Sequence, residues 1–415
     1  MAVGSLNIGT LEFWNSGTLE LWNSISIMAY NFDLVLPREN TNSVKFDLRK
    51  EIFGREDVIP MWVADMDFPV PPFVQEAVLR RAAHPIYGYS IIPDSYDEAV
   101  MNWLKMRSLW EIRKEWLCFS PGVVTGLNVL VQAMTDPGDK IIIQPPVYFP
   151  FFSCVENNGR KLVYNQLDEK DGVYSINFED LESKMKDGAR MMILCNPHNP
   201  VSRCWTREEL LWLGAKSLEH RVLVVSDEIH GDLVFEPYHH IPLASLSDEI
   251  AQNTITCIAP SKTFNLAGLF TSSIIIPNDS LRRKFKAAEE KIHLSANIFG
   301  IVAAEAAYRL GEEWRAELMN YLKNNVKLVE EFLAAKMPEI SFSPAEATYM
   351  LWLDFRKLGI AAPALKKLLI EKAGLGLLEG PTFGPGGEGF QRMNIACPRS
   401  TLEMALERIP SILNH

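Results

Sequence analysis

The stretch Thr254-Ile255-Thr256-Cys257-Ile258-Ala259-Pro260-Ser261-Lys262-Thr263-Phe264-Asn265 holds a conflict that the fold has to resolve. Its first five residues are apolar or β-branched and read as a buried strand. A lysine then follows almost at once, where a solvated cation has no reason to stand. Asp227 repeats the pattern, closing the apolar run Arg221-Val222-Leu223-Val224-Val225-Ser226. An amine and a carboxylate at the ends of two such runs point to one site shared by neighbouring strands.

Outward from these runs, residues from about 115 to 276 alternate short β-rich segments with helical periodicity. The expected strands are Lys140–Ile143, Lys161–Tyr164, Met191–Cys195, Val222–Ser226, Thr254–Ile258 and Ser272–Ile276. A helix is expected over Thr206–Glu219, with Leu210, Leu211, Leu213 and Leu218 as its apolar positions. This alternation predicts an α/β fold with a mostly parallel sheet sandwiched by helices. Ligands in such sheets bind at the carboxyl ends of strands, where Asp227 and Lys262 both fall.

Beyond Pro277 the texture changes. Long helices are expected from Leu281 to Met337, then strands at Ser341–Phe342 and Tyr349–Leu353 and a helix near Ala362–Lys372. A Gly/Pro-rich loop, Gly380–Gly389, precedes a last strand at Gln391–Ala396 and a C-terminal helix. The expected organisation is a large domain over 76–314 and a smaller α+β domain over 315–415, with 28–75 packing on the smaller one. Residues 1–27 carry the near-repeat Gly9–Ser16 and Gly17–Ser24 and read as a leader, a cloning remnant or an exposed arm outside the fold.

Composition narrows the function. The formal net charge is −11, and no basic run offsets it, so nucleic acid is not the expected partner. No apolar stretch approaches the length of a membrane span. The six cysteines form no Cys-x-x-Cys pair and no His-Glu-x-x-His occurs, which argues against a metal site. Free thiols inside apolar runs fit a reducing, cytoplasmic compartment.

Four features carry chemistry. Ser120-Pro121-Gly122-Val123-Val124-Thr125-Gly126 opens the apolar helix pattern Leu127–Met134, and small residues at a helix start leave N–H groups free for a phosphate. Tyr148, in the loop Gln144–Pro150, suits stacking on a flat cofactor, although a lone loop tyrosine is more often a packing residue. Asn199, in Asn196-Pro197-His198-Asn199-Pro200, offers an amide to a phenolate-like oxygen; taken alone, Asn before Pro is a turn residue. Asp227 and Lys262 come last. The order suits pyridoxal phosphate, which needs an amine for its Schiff base and a carboxylate for its ring nitrogen.

The chain also resembles a known family. Met61-Trp62-Val63-Ala64-Asp65-Met66-Asp67-Phe68, Tyr87-Gly88-Tyr89, the Asn-Pro loop, Asp227-Glu228-Ile229-His230, Ala259–Leu269 and Arg392–Arg399 are similar to the fold type I pyridoxal-phosphate enzymes of the class I/II aminotransferase superfamily. Within it they resemble the cystathionine β-lyase (C–S lyase, MalY/PatB-type) branch. The resemblance covers about Tyr30 to the end. It implies that Lys262 bonds the cofactor and moves the Cα proton and that Asp227 pairs with the ring nitrogen. Asn199 and His230 would reach the phenolic oxygen, and Tyr148 would stack on the ring. Val124, Thr125 and Ser261 would hold the phosphate, with Tyr89, or Tyr87, reaching the cofactor of a neighbouring subunit in a homodimer. Arg392 would clamp the substrate carboxylate. Two positions depart from the wider family: Ser202 stands where glycine is usual, and Ala259 where a phosphate-binding serine is usual.

The implied reaction is β-elimination on cystathionine or related cysteine S-conjugates, giving a thiol, pyruvate and ammonia. An aminotransferase, or a cofactor-containing regulatory protein acting through a protein partner, are the competing readings.

Overall fold

The computed structural model describes residues 30–413, so the segment 1–27 and its repeat lie outside the described residues. Seven strands build the central sheet: β1 (Leu117–Ser120), β2 (Lys140–Ile143), β3 (Lys161–Tyr164), β4 (Ala189–Cys195), β5 (Leu223–Asp227), β6 (Thr254–Ile258) and β7 (Ser272–Ile275). Their order is β1-β7-β6-β5-β4-β2-β3. The five strands from β6 to β3 run parallel, and β7 runs against both β6 and β1. Every strand except β7 therefore ends at the same edge of the sheet.

Side-chain alternation along each strand divides the core. Ile141, Ile143, Met191, Ile193, Cys195 and Val225 pack on one face, against the helix Val123–Met134 and its neighbours. Ile142, Met192, Leu194 and Val224 pack on the other, with Leu210 and Leu213 of the helix Arg207–Glu219. Both faces are buried, which is why these strands read as continuous apolar runs. Thr206 starts the second helix through a capping box with Glu209.

Three local features differ from expectation. β1 was not expected, because Leu117-Cys118-Phe119-Ser120 is too short to show periodicity and becomes a strand only by pairing with β7. The helix expected from Leu127 begins at Val123, since Gly122 with φ 111° turns the chain into it. A hairpin, Asp168–Lys170 with Val173–Ser175, turns on Asp171 and Gly172, both at positive φ.

The helical stretch after Pro277 is three helices, Asp279–Lys291, Ile298–Leu310 and Glu312–Lys336. Gly311 separates the last two. A Cβ there would come within 2.3 Å of the Ala307 carbonyl oxygen and of the Phe264 ring. An antiparallel sheet follows, built from β8 (Ser341–Phe342), β9 (Met350–Asp354), β10 (Leu378–Glu379) and β11 (Phe390–Asn394), in the order β8-β9-β11-β10. Near the start of the described chain, Ile59–Pro60 pairs in parallel with Leu375–Gly376. Among the described residues, no helix is long and apolar enough to cross a membrane.

Ser202 joins the two sheets. Its φ is 64°, a conformation that costs a non-glycine residue about 1 kcal/mol. The hydroxyl offsets that cost. It bonds the Met350 carbonyl at 3.1 Å, Thr348 Oγ1 at 3.2 Å and the Ala347 carbonyl as well. Glycine would relieve the backbone and lose these bonds. Ser202→Ala keeps the unfavourable φ and removes the hydroxyl, so urea denaturation should show a loss of about 1–2 kcal/mol.

Candidate active site

The common edge of the sheet gathers the predicted residues around one cavity of about 250 Å³. It is lined by Val124, Thr125, Tyr148, Asn199, Asp227, His230, Ser261 and Lys262, together with Ala64, Cys195 and Thr271. The sheet register explains the convergence. Cys195 stands opposite Asp227, and Asp227 opposite Cys257, so the loops leaving β4, β5 and β6 emerge side by side.

One wall is the start of the helix Val123–Met134. Gly126 is the first residue of this helix whose N–H takes up the helical bonding pattern, donating to the carbonyl of the capping Gly122 at 3.0 Å. The N–H groups of the first turn are left for an anion, aided by the helix dipole. Ser261 also lines the cavity, and Ala259 supplies no hydroxyl. Thr271, which was not predicted, lines the cavity too.

Asp227 is buried and accepts one bond, from the Ile229 N–H at 3.2 Å. Burial pushes its carboxyl up to about 7. The Ile229 bond and the Lys262 charge oppose that rise, and Glu228 adds to it. Lys262 moves the opposite way, down to about 8, through burial and the charge of Arg392, while Asp65 and Asp227 pull it back. Among the described residues the Lys262 amine has one hydrogen-bond partner, the Ala64 carbonyl at 2.6 Å.

His230 is buried, and burial with the nearby Lys262 and Arg392 charges holds it neutral, at about 3. Its Nδ1 has no partner. Burial pushes the Tyr148 hydroxyl up to about 12, so it too stays neutral.

Arg392 lies on β11, opposite Trp352 of β9. Nη1 donates to Asn199 Oδ1 at 3.1 Å, and Nη2 donates to the Trp62 carbonyl at 2.8 Å. The guanidinium sits 5.0 Å over the Phe383 ring, and its buried Nε is unpartnered. Because Arg392 occupies Oδ1 of Asn199, the amide's Nδ2 is left to donate elsewhere. Burial lowers the Arg392 guanidinium to about 10. Among the described residues no carboxylate pairs with it, and a buried guanidinium without a counter-charge is a receptor for an anion.

The predicted tyrosines at 87 and 89 are outside this cavity. Tyr89 is fully exposed, while the Tyr87 hydroxyl bonds the Ala82 carbonyl at 2.7 Å.

Sequence reading missed the groups that hold the site from behind. The Trp62–Phe68 segment has no regular structure, and side chains satisfy its carbonyls. Asn394 donates to Val63 and Asp65, Asn265 to Met66 and Phe68, and Tyr349 to Ala64. Tyr349 sits in an apolar run and reads simply as core. The only sequence signal was that a buried tyrosine hydroxyl needs a partner.

The family model for aminotransferase class I and II matches residues 56–409, and the chain belongs to that family. It is 47% identical to cystathionine beta-lyase PatB of Bacillus subtilis over 386 residues, covering 92% of this chain and 100% of that one. It is 31% identical to protein MalY of Escherichia coli, covering 90% of this chain and 96% of that one. The crystal structure of cystalysin from Treponema denticola, which contains pyridoxal 5'-phosphate, superposes with a TM-score of 0.91 at 36% identity, over 93% of this chain and 99% of that one.

The perturbed amine gives a direct test. In cofactor-free protein, labelling of Lys262 by a small amine-directed reagent should rise with pH through about 8, because the neutral amine is the nucleophile. Peptide mass mapping should show exposed lysines reacting only nearer their ordinary value of about 10.4.

Proposed function

We propose that this chain is a pyridoxal-phosphate-dependent carbon–sulfur β-lyase acting on cystathionine or related cysteine S-conjugates. The observation that carries the reading is that Asp227 and Lys262 line one cavity and the buried Arg392 bonds Asn199 of its lining, each without an ion-pair partner among the described residues. The similarity along the full length of a protein named cystathionine beta-lyase supports the choice of lyase over aminotransferase.

The residues fit the cofactor. A buried carboxylate at about 7 with no cationic partner suits a protonated ring nitrogen, which would restore its ionised state. The free N–H groups at Val124 and Thr125 suit the phosphate, with Ser261 and Thr271 beside them. Asn199 Nδ2 and the unpartnered Nδ1 of His230 suit the phenolic oxygen. Tyr148 supplies a flat neutral surface. When bound, pyridoxal phosphate condenses with amines and withdraws electrons from the bonds at the substrate Cα.

This chain's own groups do the rest. Arg392 holds the substrate α-carboxylate and thereby fixes the orientation of Cα. Lys262, with an amine at about 8, has an appreciable neutral fraction near pH 7 and takes the Cα proton. Asp227 keeps the ring nitrogen protonated. The sulfur substituent on Cβ would then leave with the electron pair of the Cβ–S bond and take up a proton to become a thiol, and one water would hydrolyse the remaining three-carbon fragment to pyruvate and ammonia.

We further assign the large domain to 76–314, the small domain to 315–415, and 28–75 to the small one; the Ile59–Pro60 pairing with Leu375–Gly376 supports the last point. A cytoplasmic homodimer is our reading of the assembly, in which Tyr89 reaches the other subunit's cofactor. The exposure of Tyr89 beside exposed Ile86, Tyr87 and Ile91 supports it. Light scattering should give twice the chain mass.

Incubation with cystathionine and no keto acid should yield pyruvate and a thiol in equal amounts. Amino transfer to 2-oxoglutarate without pyruvate would overturn the lyase reading. Lys262→Ala should abolish turnover. Arg392→Lys should raise KM roughly 10- to 100-fold, the worth of a charge-assisted bond of about 1.5–3 kcal/mol.

A further inference from the structure

On the proposed reading Lys262 would bond the cofactor and be freed from it in turn, so another group would have to anchor its surroundings. The carbonyl that receives its amine belongs to Ala64, within a segment that has no helix or sheet to hold it. The neighbouring carbonyls are fixed by permanent donors: Trp62 by Arg392, Val63 and Asp65 by Asn394. Among the described residues the Ala64 carbonyl takes two donors, Lys262 at 2.6 Å and the Tyr349 hydroxyl at 3.0 Å.

Tyr349 is suited to be the constant one. It is 1% exposed, and among the described residues its hydroxyl has no other partner. Its backbone is held as firmly as its ring. The Tyr349 carbonyl accepts from the Ile395 N–H at 3.0 Å, and Thr348 N–H donates to the Leu233 carbonyl at 2.6 Å. The His230 ring stands edge-on to the phenol at 6.2 Å. Burial and the Asp65 charge keep the phenol protonated far above its ordinary value, so it remains a donor throughout the working pH range.

We propose that Tyr349 is a positioning residue for Lys262: its hydroxyl pins the Ala64 carbonyl, and that carbonyl orients the Lys262 amine whenever the amine is free. An amine donating one N–H to Ala64 directs its lone pair away from that oxygen. The lone pair forms the new N–H bond as the Cα–H bond breaks, and the bonding electrons stay with the substrate carbon. The resulting ammonium keeps its hydrogen bond to Ala64. While Lys262 is bonded to the cofactor, Tyr349 keeps the buried carbonyl satisfied and in place. This inference rests on the reading of Lys262 as the cofactor-bonding, proton-moving residue.

Tyr349→Phe in the holoenzyme is the test, since it removes one oxygen and keeps the ring. The expected result is an unchanged cofactor absorbance band, an unchanged KM and a kcat lowered roughly 10- to 100-fold, the scale of a misplaced catalytic group. The primary isotope effect with Cα-deuterated substrate should rise, because proton transfer becomes slower relative to other steps. Independently of turnover, cofactor-free Tyr349→Phe should recapture pyridoxal phosphate several-fold more slowly than wild type above pH 8, and reach the same final band. Wild-type kcat, isotope effect and recapture rate would overturn the proposal. A fall in kcat matched by a raised KM and a weakened band would also overturn it, by showing general damage to the site. Loss of the Cα hydrogen to D2O, followed by NMR, separates this inference from the lyase reading, because Lys262 moves that proton in elimination and in amino transfer alike. If wild type makes no pyruvate the lyase reading fails, and the exchange rates still decide the role of Tyr349.

Discussion

The carbonyls of Trp62 to Met66 and of Phe68 are met by side chains rather than by strand or helix N–H groups, and the site is organised around that shortage. A buried carbonyl without a donor costs about as much as a lost hydrogen bond, so every such group must be met. The donors come from parts of the chain that are far apart in sequence: Asn265 after β6, Tyr349 before β9, and Arg392 and Asn394 on β11. The Tyr349 bond fixes Ala64, which lines the cavity. Satisfying one irregular segment thus ties the tip of the parallel sheet to the antiparallel sheet, with Lys262 and Arg392 on either side.

The charges placed there are costly to bury, and the structure leaves them only partly compensated. Among the described residues Arg392 has an amide, a carbonyl and an aromatic ring, and no carboxylate. Asp227 has a single N–H. Groups in this condition shift toward their neutral forms, as Asp227 and Lys262 do. A ligand that supplies an anion to Arg392 and a cation to Asp227 relieves both, so the energy withheld from the folded protein becomes available for binding. Structural ion pairs look different: Arg203 is matched by Glu209 and Glu346 at 3.0 and 2.7 Å.

Much of this was legible in the chain itself. The runs at Thr254–Ile258 and Lys140–Ile143 were readable to the residue because both faces of the sheet are buried, and apolar continuity then marks the strand directly. Asp227 and Lys262 stood out because charge at the end of such a run is anomalous. β1 was not legible, since four residues contain too little periodicity and its strand character comes from pairing with β7. Tyr349 was hidden for another reason. In an apolar run a tyrosine is indistinguishable from core, and its partner Ala64 lies 285 positions away. Ser202 could be read as a departure from glycine, but the compensation by its hydroxyl depended on which strand passed beside it.

The sequence by itself determined the alternation of strand and helix, the strand ends on which Asp227, Asn199 and Lys262 fall, and the family resemblance. These follow from local periodicity and from short runs of adjacent residues. Only the tertiary structure decided which main-chain oxygens receive the Lys262 amine, the Tyr349 hydroxyl and the Arg392 guanidinium, and that Arg392 lacks a counter-charge. A carbonyl is the same at every residue, so the sequence carries no mark of which one a distant donor will meet. Burial and packing make that choice.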